Sequence, residues 1–269
     1  MNIFKAQKLY PEEDTPLLEH YAAFDAVFIG LLPFFTCGGK SAGAKSSKQQ
    51  LSPKEAREKD PLLKNIGLGP NVEVYQTNEA YPNDDEIARN GSPVAWKEII
   101  GKTDLTDHRE LNKALMTSIG AYKKPLQRHD LTNELMDYST KNNIWHPTEG
   151  GYDVFTKRAM YRFFKQLGMD QITVQDEFYE ERIEVNVNSL SEQQFIKSVG
   201  FSDYYLYPNN KAVLFSIGWD YFFFFIAIKE GIVPKNKITE HFEGFWATAT
   251  DTHNWTWEAG EIERILNGK

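Results

Sequence analysis

The sequence predicts an α+β protein. An antiparallel, aromatic β-meander in the C-terminal half is expected to pack against helices from the N-terminal and middle regions. Three observations predict this. Between Tyr204 and Ile228, β-favouring runs are separated by two short turns. Between 106 and 168, apolar residues recur at helical spacing behind capping residues. Phe, Trp and Tyr make up 14% of the 269 residues, enough large rings to build a thick core.

The elements follow in order. An acidic leader carries Glu12, Glu13, Asp14 and Glu19. The apolar run Tyr21–Phe35 comes next, broken by Asp25 and Pro33, and periodicity leaves it as strand or buried helix. Residues 36–60 are small and polar, and read as a flexible loop or linker within one domain spanning 1–269. Gly39-Lys40-Ser41 has the ending of a phosphate loop, but Phe34 stands where its first glycine is required. Residues 61–100 are loop-rich, with Pro70, Pro82 and Pro93, and a short helix is expected over Pro93–Ile100.

Two stronger helices are predicted next. One spans about 106–119, with Leu111, Ala114, Leu115 and Ile119 on one face and Asp107 and Glu110 at capping-box spacing. The other spans about 126–140, with Leu131, Leu135 and Tyr138 on one face. WHPTEGG (145–151) reads as a turn. A helix starting near Asp153 and ending before Gly168 is apolar round more than one face, so two sides should be buried. Residues 171–187 are strand-like, with Ile183, Val185 and Val187 alternating. Ser191 and Gln194 cap a short helix that ends at Gly200.

Then comes the meander: Tyr204–Tyr207, Lys211–Ile217 and Tyr221–Ile228. Phe222-Phe223-Phe224-Phe225 does not alternate, which marks a central strand covered on both faces. Beyond Pro234, a helix carries Ile238, Phe242 and Phe245. Ala249–Trp257 reads as a returning strand and Glu261–Leu266 as a terminal helix.

Composition narrows the function. A net charge of -8 disfavours a nucleic-acid partner. Cys37, the single cysteine, allows no internal disulfide or cysteine metal cluster and fits the reducing cytoplasm. Its place after Phe34-Phe35-Thr36 resembles a lipoprotein cysteine, but the acidic leader argues against export. The other apolar run, Ala212–Ile228, holds Gly218 and Asp220 and is too short to span, so no membrane association is expected.

Several constellations could carry chemistry. On a strand, Asp251 and His253 would share a face with Trp255 and Trp257. With Asp220 and His241 they form the candidate pocket; the plainer alternatives are an exposed loop or a satisfied core histidine. His108 with His129-Asp130 has the make-up of a metal phosphohydrolase centre, against acids that merely cap helix starts. Asp84-Asp85-Glu86 lacks calcium-loop spacing and suits a solvated helix start. The basic stripe Lys157, Arg158, Arg162 and Lys165 and the acidic stripe Asp176, Glu177, Glu180, Glu181 and Glu184 are expected to screen one another. There is no nucleophile elbow and no dinucleotide fingerprint, and neither cofactor nor metal is expected.

LFSIGWDYFFFF, followed by a proline, a helix and FWATATDTHNWTW, resembles the uncharacterised proteins of Bacillus-type Firmicutes; the leader PEEDTPLLEHY is in the same style. That resemblance implies no catalytic residues. At fold level, a capped helix feeding an aromatic meander is similar to bacterial immunity proteins, which implies a protein partner. The expectation is a non-enzymatic, immunity-like interaction module. The alternative is a small-molecule enzyme or metal-dependent hydrolase with its His/Asp pocket in the C-terminal half. Oligomeric state stays open.

Overall fold

A computed structural model describes residues 8–12, 14–42, 47–59, 72–76, 81–200, 203–258 and 260–268. In chain order the first elements are α1 (Leu17–His20), β1 (Ala26–Leu31), β2 (Phe34–Cys37), β3 (Ser47–Leu51), α2 (Pro53–Lys59), β4 (Val72–Gln76), α3 (Asp84–Asn90), β5 (Gly91–Val94), α4 (Trp96–Ile100), α5 (His108–Ser118) and α6 (His129–Asn142). The rest are α7 (Val154–Gln166), β6 (Gln171–Asp176), β7 (Arg182–Asn186), α8 (Glu192–Ser198), β8 (Asp203–Pro208), β9 (Val213–Ile217), β10 (Phe223–Ile228), α9 (Lys235–His241), β11 (Gly244–Trp246) and α10 (Glu261–Leu266).

The protein is α+β. Among the described residues a seven-stranded sheet runs in the order β11-β1-β10-β9-β8-β6-β7, antiparallel at every pairing. Two-stranded ribbons pair β2 with β5 and β3 with β4. β10 lies between β1 and β9, and the rings of Phe222 to Phe225 are all buried. Burying such a ring contributes roughly 2 kcal/mol, an upper figure because unfolded chains already bury some area.

The alternation of β10 sorts the core into two layers. On one face Phe223 and Phe225 meet Tyr10, Tyr21 and Trp255. Phe245 of β11 joins that face and touches His108 of α5. On the other face Phe224 meets Tyr152 and Phe242, and Phe215 meets Phe163 and Phe164 of α7. Helix α7 packs in turn on α8 and α9. A smaller core of Phe35, Cys37, Ile87, Trp145, Val154, Phe155 and Ile196 lies under the β2–β5 ribbon.

The helix starts follow their capping residues. Asn83 with Glu86 and Ser191 with Gln194 close full capping boxes, and the Asp153 carboxylate takes the amides of Phe155 and Thr156. At α5 the box is half made: Asp107 accepts from the Glu110 amide, while the Glu110 carboxylate turns to the Thr106 amide at 2.8 Å.

The structure corrects several sequence readings. Residues 36–60, expected as a flexible loop or linker, carry the end of β2, the strand β3 and the helix α2, with 43–46 and 60 outside the described residues. The partner of β3 lies at Val72–Gln76, a pairing no local pattern reveals. Of the loop-rich stretch 61–100, residues 61–71 and 77–80 lie outside the described ones. Pro93 sits in β5 opposite Phe35, so that helix begins only at Trp96. Residues 171–187 are a hairpin, β6 with β7. Helix α9 stops at His241, leaving Phe242 beyond it and Phe245 in β11.

Ala249–Trp257 is a series of turns with one bridge, Thr252 to Pro16, and not a returning strand. Its short polar side chains bind backbone locally: the Asp251 carboxylate accepts from the Thr248 amide at 2.7 Å and hydroxyl at 2.8 Å. β11, just upstream, takes the edge position instead. Among the described residues no helix is long and apolar enough to cross a membrane. Both apolar runs contribute strands to the sheet.

Candidate functional site

Of the six pocket residues read from the sequence, three line one cleft. Asp220, His253 and Trp257 border a cavity of about 330 Å³ together with Asn112, Tyr122 and Thr256. Asp220 stands exposed in the β9–β10 turn with φ 63°, a left-handed conformation that Asp tolerates better than most side chains. His253 is 5% exposed. Its ring stands edge-on to Tyr221 at 4.4 Å and Tyr10 at 5.2 Å. Burial lowers its pKa to about 4, so the imidazole is neutral at physiological pH. The Pro11 backbone lies close enough to favour a ring proton weakly, yet neither nitrogen completes a hydrogen bond within the protein.

The other three residues lie elsewhere. Trp255 is core, packed between Phe223 at 5.3 Å and Phe245 at 5.0 Å. Asp251 holds its own turn through Thr248 and lies 3.8 Å from the Arg109 guanidinium. His241 bonds Gln166 at 2.7 Å and packs on Phe163, which puts it across the sheet from His253.

Asn112, Tyr122 and Thr256 complete the cleft and escape sequence reading. Asn112 and Lys113 are buried although they fall between the Leu111 and Ala114 positions that mark the apolar face of α5. Lys113 lies 3.9 Å over the Trp257 ring and pairs with Glu261 at 3.2 Å. Burial pushes the Tyr122 hydroxyl up to about 12.

The remaining constellations are committed to structure. His108 is wedged between Trp96 and Phe245, where burial lowers its pKa. His129 bonds Gln127, and Asp130 takes both prongs of Arg128 at 2.9 and 2.6 Å, which holds its carboxyl at about 2. Asp84, Asp85 and Glu86 meet Lys157, Lys197 and Lys40 at 3.8, 3.6 and 2.8 Å. The charged stripes do not screen one another as expected. Arg158 and Arg162 both reach Glu192 of α8, at 2.8 and 3.0 Å. Among the described residues no three His, Cys, Asp or Glu side chains gather in a form that could hold a metal.

The acidic stripe has a different setting. Glu177, Phe178, Tyr179, Glu180 and Glu181 form the tip of the β6–β7 hairpin. Tyr179 adopts φ 62°, stacks on Tyr205 at 5.3 Å and accepts the Leu9 amide at 2.8 Å. Asp176 accepts the Glu181 amide at 3.0 Å. The tip is therefore pinned at both ends, and Phe178 between them is 69% exposed. Ile183 of β7, the outermost strand of the sheet, is exposed beside it.

An α+β chain with helices on both faces of an aromatic sheet, a polar cleft and an acidic aromatic tip defines a structural class, not an activity. The chain belongs to the family described as "Protein of unknown function (DUF2711)", whose model matches residues 13–257. It is also similar to the Uncharacterized protein YwbB of Bacillus subtilis (strain 168), 39% identical over 69 residues. That match covers 26% of this chain and 30% of the relative, so the chain spans under a third of that protein's length. No solved structure matches. These findings bear out the resemblance to uncharacterised Bacillus-type proteins.

Proposed function

We propose that the protein is a non-enzymatic interaction module of the bacterial cytoplasm, immunity-like in mode, that grips a basic partner protein with its β6–β7 tip. The observation that carries this reading is Phe178, at 69% exposure, between Glu177 and Glu180-Glu181 on a turn held fixed by Tyr179 and Asp176. An exposed ring on a rigid mount loses little conformational freedom on binding, and its burial in a partner pocket contributes roughly 2 kcal/mol. The surrounding carboxylates select a basic rim and speed encounter with it. The structural use of Asp251, His241 and Asp130 also fits binding better than catalysis. The single buried cysteine suits a reducing compartment.

The test is a photo-crosslinking amino acid at position 178, used in the protein's own cells. The reading expects a discrete adduct with one basic protein, absent when the crosslinker sits at exposed Ile119, and lost in Glu180→Lys/Glu181→Lys. An adduct pattern at 178 no different from that at 119 overturns it.

A further inference from the structure

We infer that the cleft between α5, the β9–β10 turn and the 251–257 turns is a binding site for a small neutral hydroxylated ring of monosaccharide size. Two buried polar side chains line this cleft. Asn112 is 1% exposed; its amide nitrogen donates to the Thr256 hydroxyl at 2.6 Å, and its carbonyl oxygen finds no partner within the protein. His253 lines the same cleft, and neither ring nitrogen completes a hydrogen bond, although the Pro11 backbone lies near one of them. Buried polar atoms without partners are few in native proteins, and each calls for an explanation. Two that line the same cavity share one: a molecule that donates to the Asn112 oxygen and bonds the imidazole nitrogen left over by the Pro11 backbone.

The lining narrows the class. Asp220 and Lys123, one charge of each sign, stand exposed at the rim, while Asn112, Thr256 and His253 line the buried part without a charge, so a ligand buried there is favoured when it carries none. The volume of about 330 Å³ suits one ring-sized molecule. The polar groups come from separate elements and surround the cavity, as hydroxyls do around a sugar. The neighbouring rings are not parallel: Tyr122 and Trp257 meet at 67°, and Tyr221 and His253 at 80°. They form no parallel slot to sandwich a flat heterocycle, whereas a puckered ring can rest C–H bonds on one ring face and turn its hydroxyls to the other walls.

The probes are D-glucose, D-galactose and N-acetyl-D-glucosamine, titrated into the full chain and followed by tryptophan fluorescence. Glucuronate, glucose 6-phosphate and adenine serve as contrasting arms. At least one neutral sugar is expected to bind saturably, and more tightly than the anions or adenine. His253→Phe is expected to weaken it about tenfold or more while leaving the ligand-free melting temperature equal or higher, because an apolar ring suits the Tyr10–Tyr221–Phe223 surroundings. Asn112→Leu should lose binding in the same way. No saturable binding by any neutral sugar, tighter binding of adenine or an anion, or full affinity in both variants overturns the inference.

Discussion

Single residues decide how closely the central strands approach. Gly30 of β1 lies opposite Phe224 of β10, and a Cβ there would come within 2.5 Å of the Phe224 ring. That ring is enclosed by Tyr152 and Phe242 and has little room to yield. Gly30→Ala is expected to cost about 1–3 kcal/mol, read from urea denaturation midpoints. An unchanged midpoint would show the ring moving freely.

Two buried histidines make stability depend on pH on the acid side. Burial holds both His253 and His146 at about 4, against 6.5 in an open chain. Between those values the unfolded chain binds more protons than the folded one, so stability falls as pH drops from 6.5 towards 4 and is flat just above. The loss should be on the order of 2 kcal/mol per ring. His253→Phe should remove its share of the slope, measured as unfolding free energy at pH 7 and pH 4.5. An identical slope in the variant would contradict the neutral, buried ring. Neither the glycine contact nor the histidine environment is visible in sequence, because each depends on what stands opposite in space.

Among the elements, capping separates what sequence can show from what it cannot. The Asn83–Glu86 and Ser191–Gln194 boxes are local, and residue type at a spacing of three reveals them. Ser52 and Glu55 carry the same signal at the start of α2, inside the stretch read as linker, and the mutual bonds form. Compositional bias toward small polar residues hid a usable motif. α4 is the opposite case. Its N-cap, Ala95, offers no side-chain acceptor, and Glu243 from the α9–β11 turn supplies both acceptors, to the amides of Trp96 at 2.8 Å and Lys97 at 2.9 Å. Glu243→Ala is expected to cost about 1–2 kcal/mol in a thermal melt, and Glu243→Gln less, because one acceptor remains. Equal losses would mean that the glutamate acts by packing alone.

Across the molecule, the meander and its central strand were readable because Phe222–Phe225 defies alternation, and only a strand covered on both faces accommodates that. The role of Tyr21–Phe35 was not. Its apolar run suits a helix or a strand equally, and only the sheet decides, by taking β1 between β10 and β11. The candidate site was half readable for a related reason. His253 and Trp257 are near neighbours along the chain and Asp220 lies in the adjoining meander, whereas Asn112 comes from α5 and Tyr122 from the bend beyond it, far earlier in the chain.

The Phe222–Phe225 segment lies inside the sheet, shielded by Tyr10, Tyr21, α5 and the 251–257 turns on one side and by α7 and α9 on the other. Native-state hydrogen exchange tests this most directly. The amides of Phe223–Ile228 and Ala26–Leu31 should exchange together, and only through global unfolding. Exchange of the β10 amides as fast as those of the exposed β6–β7 tip would contradict it.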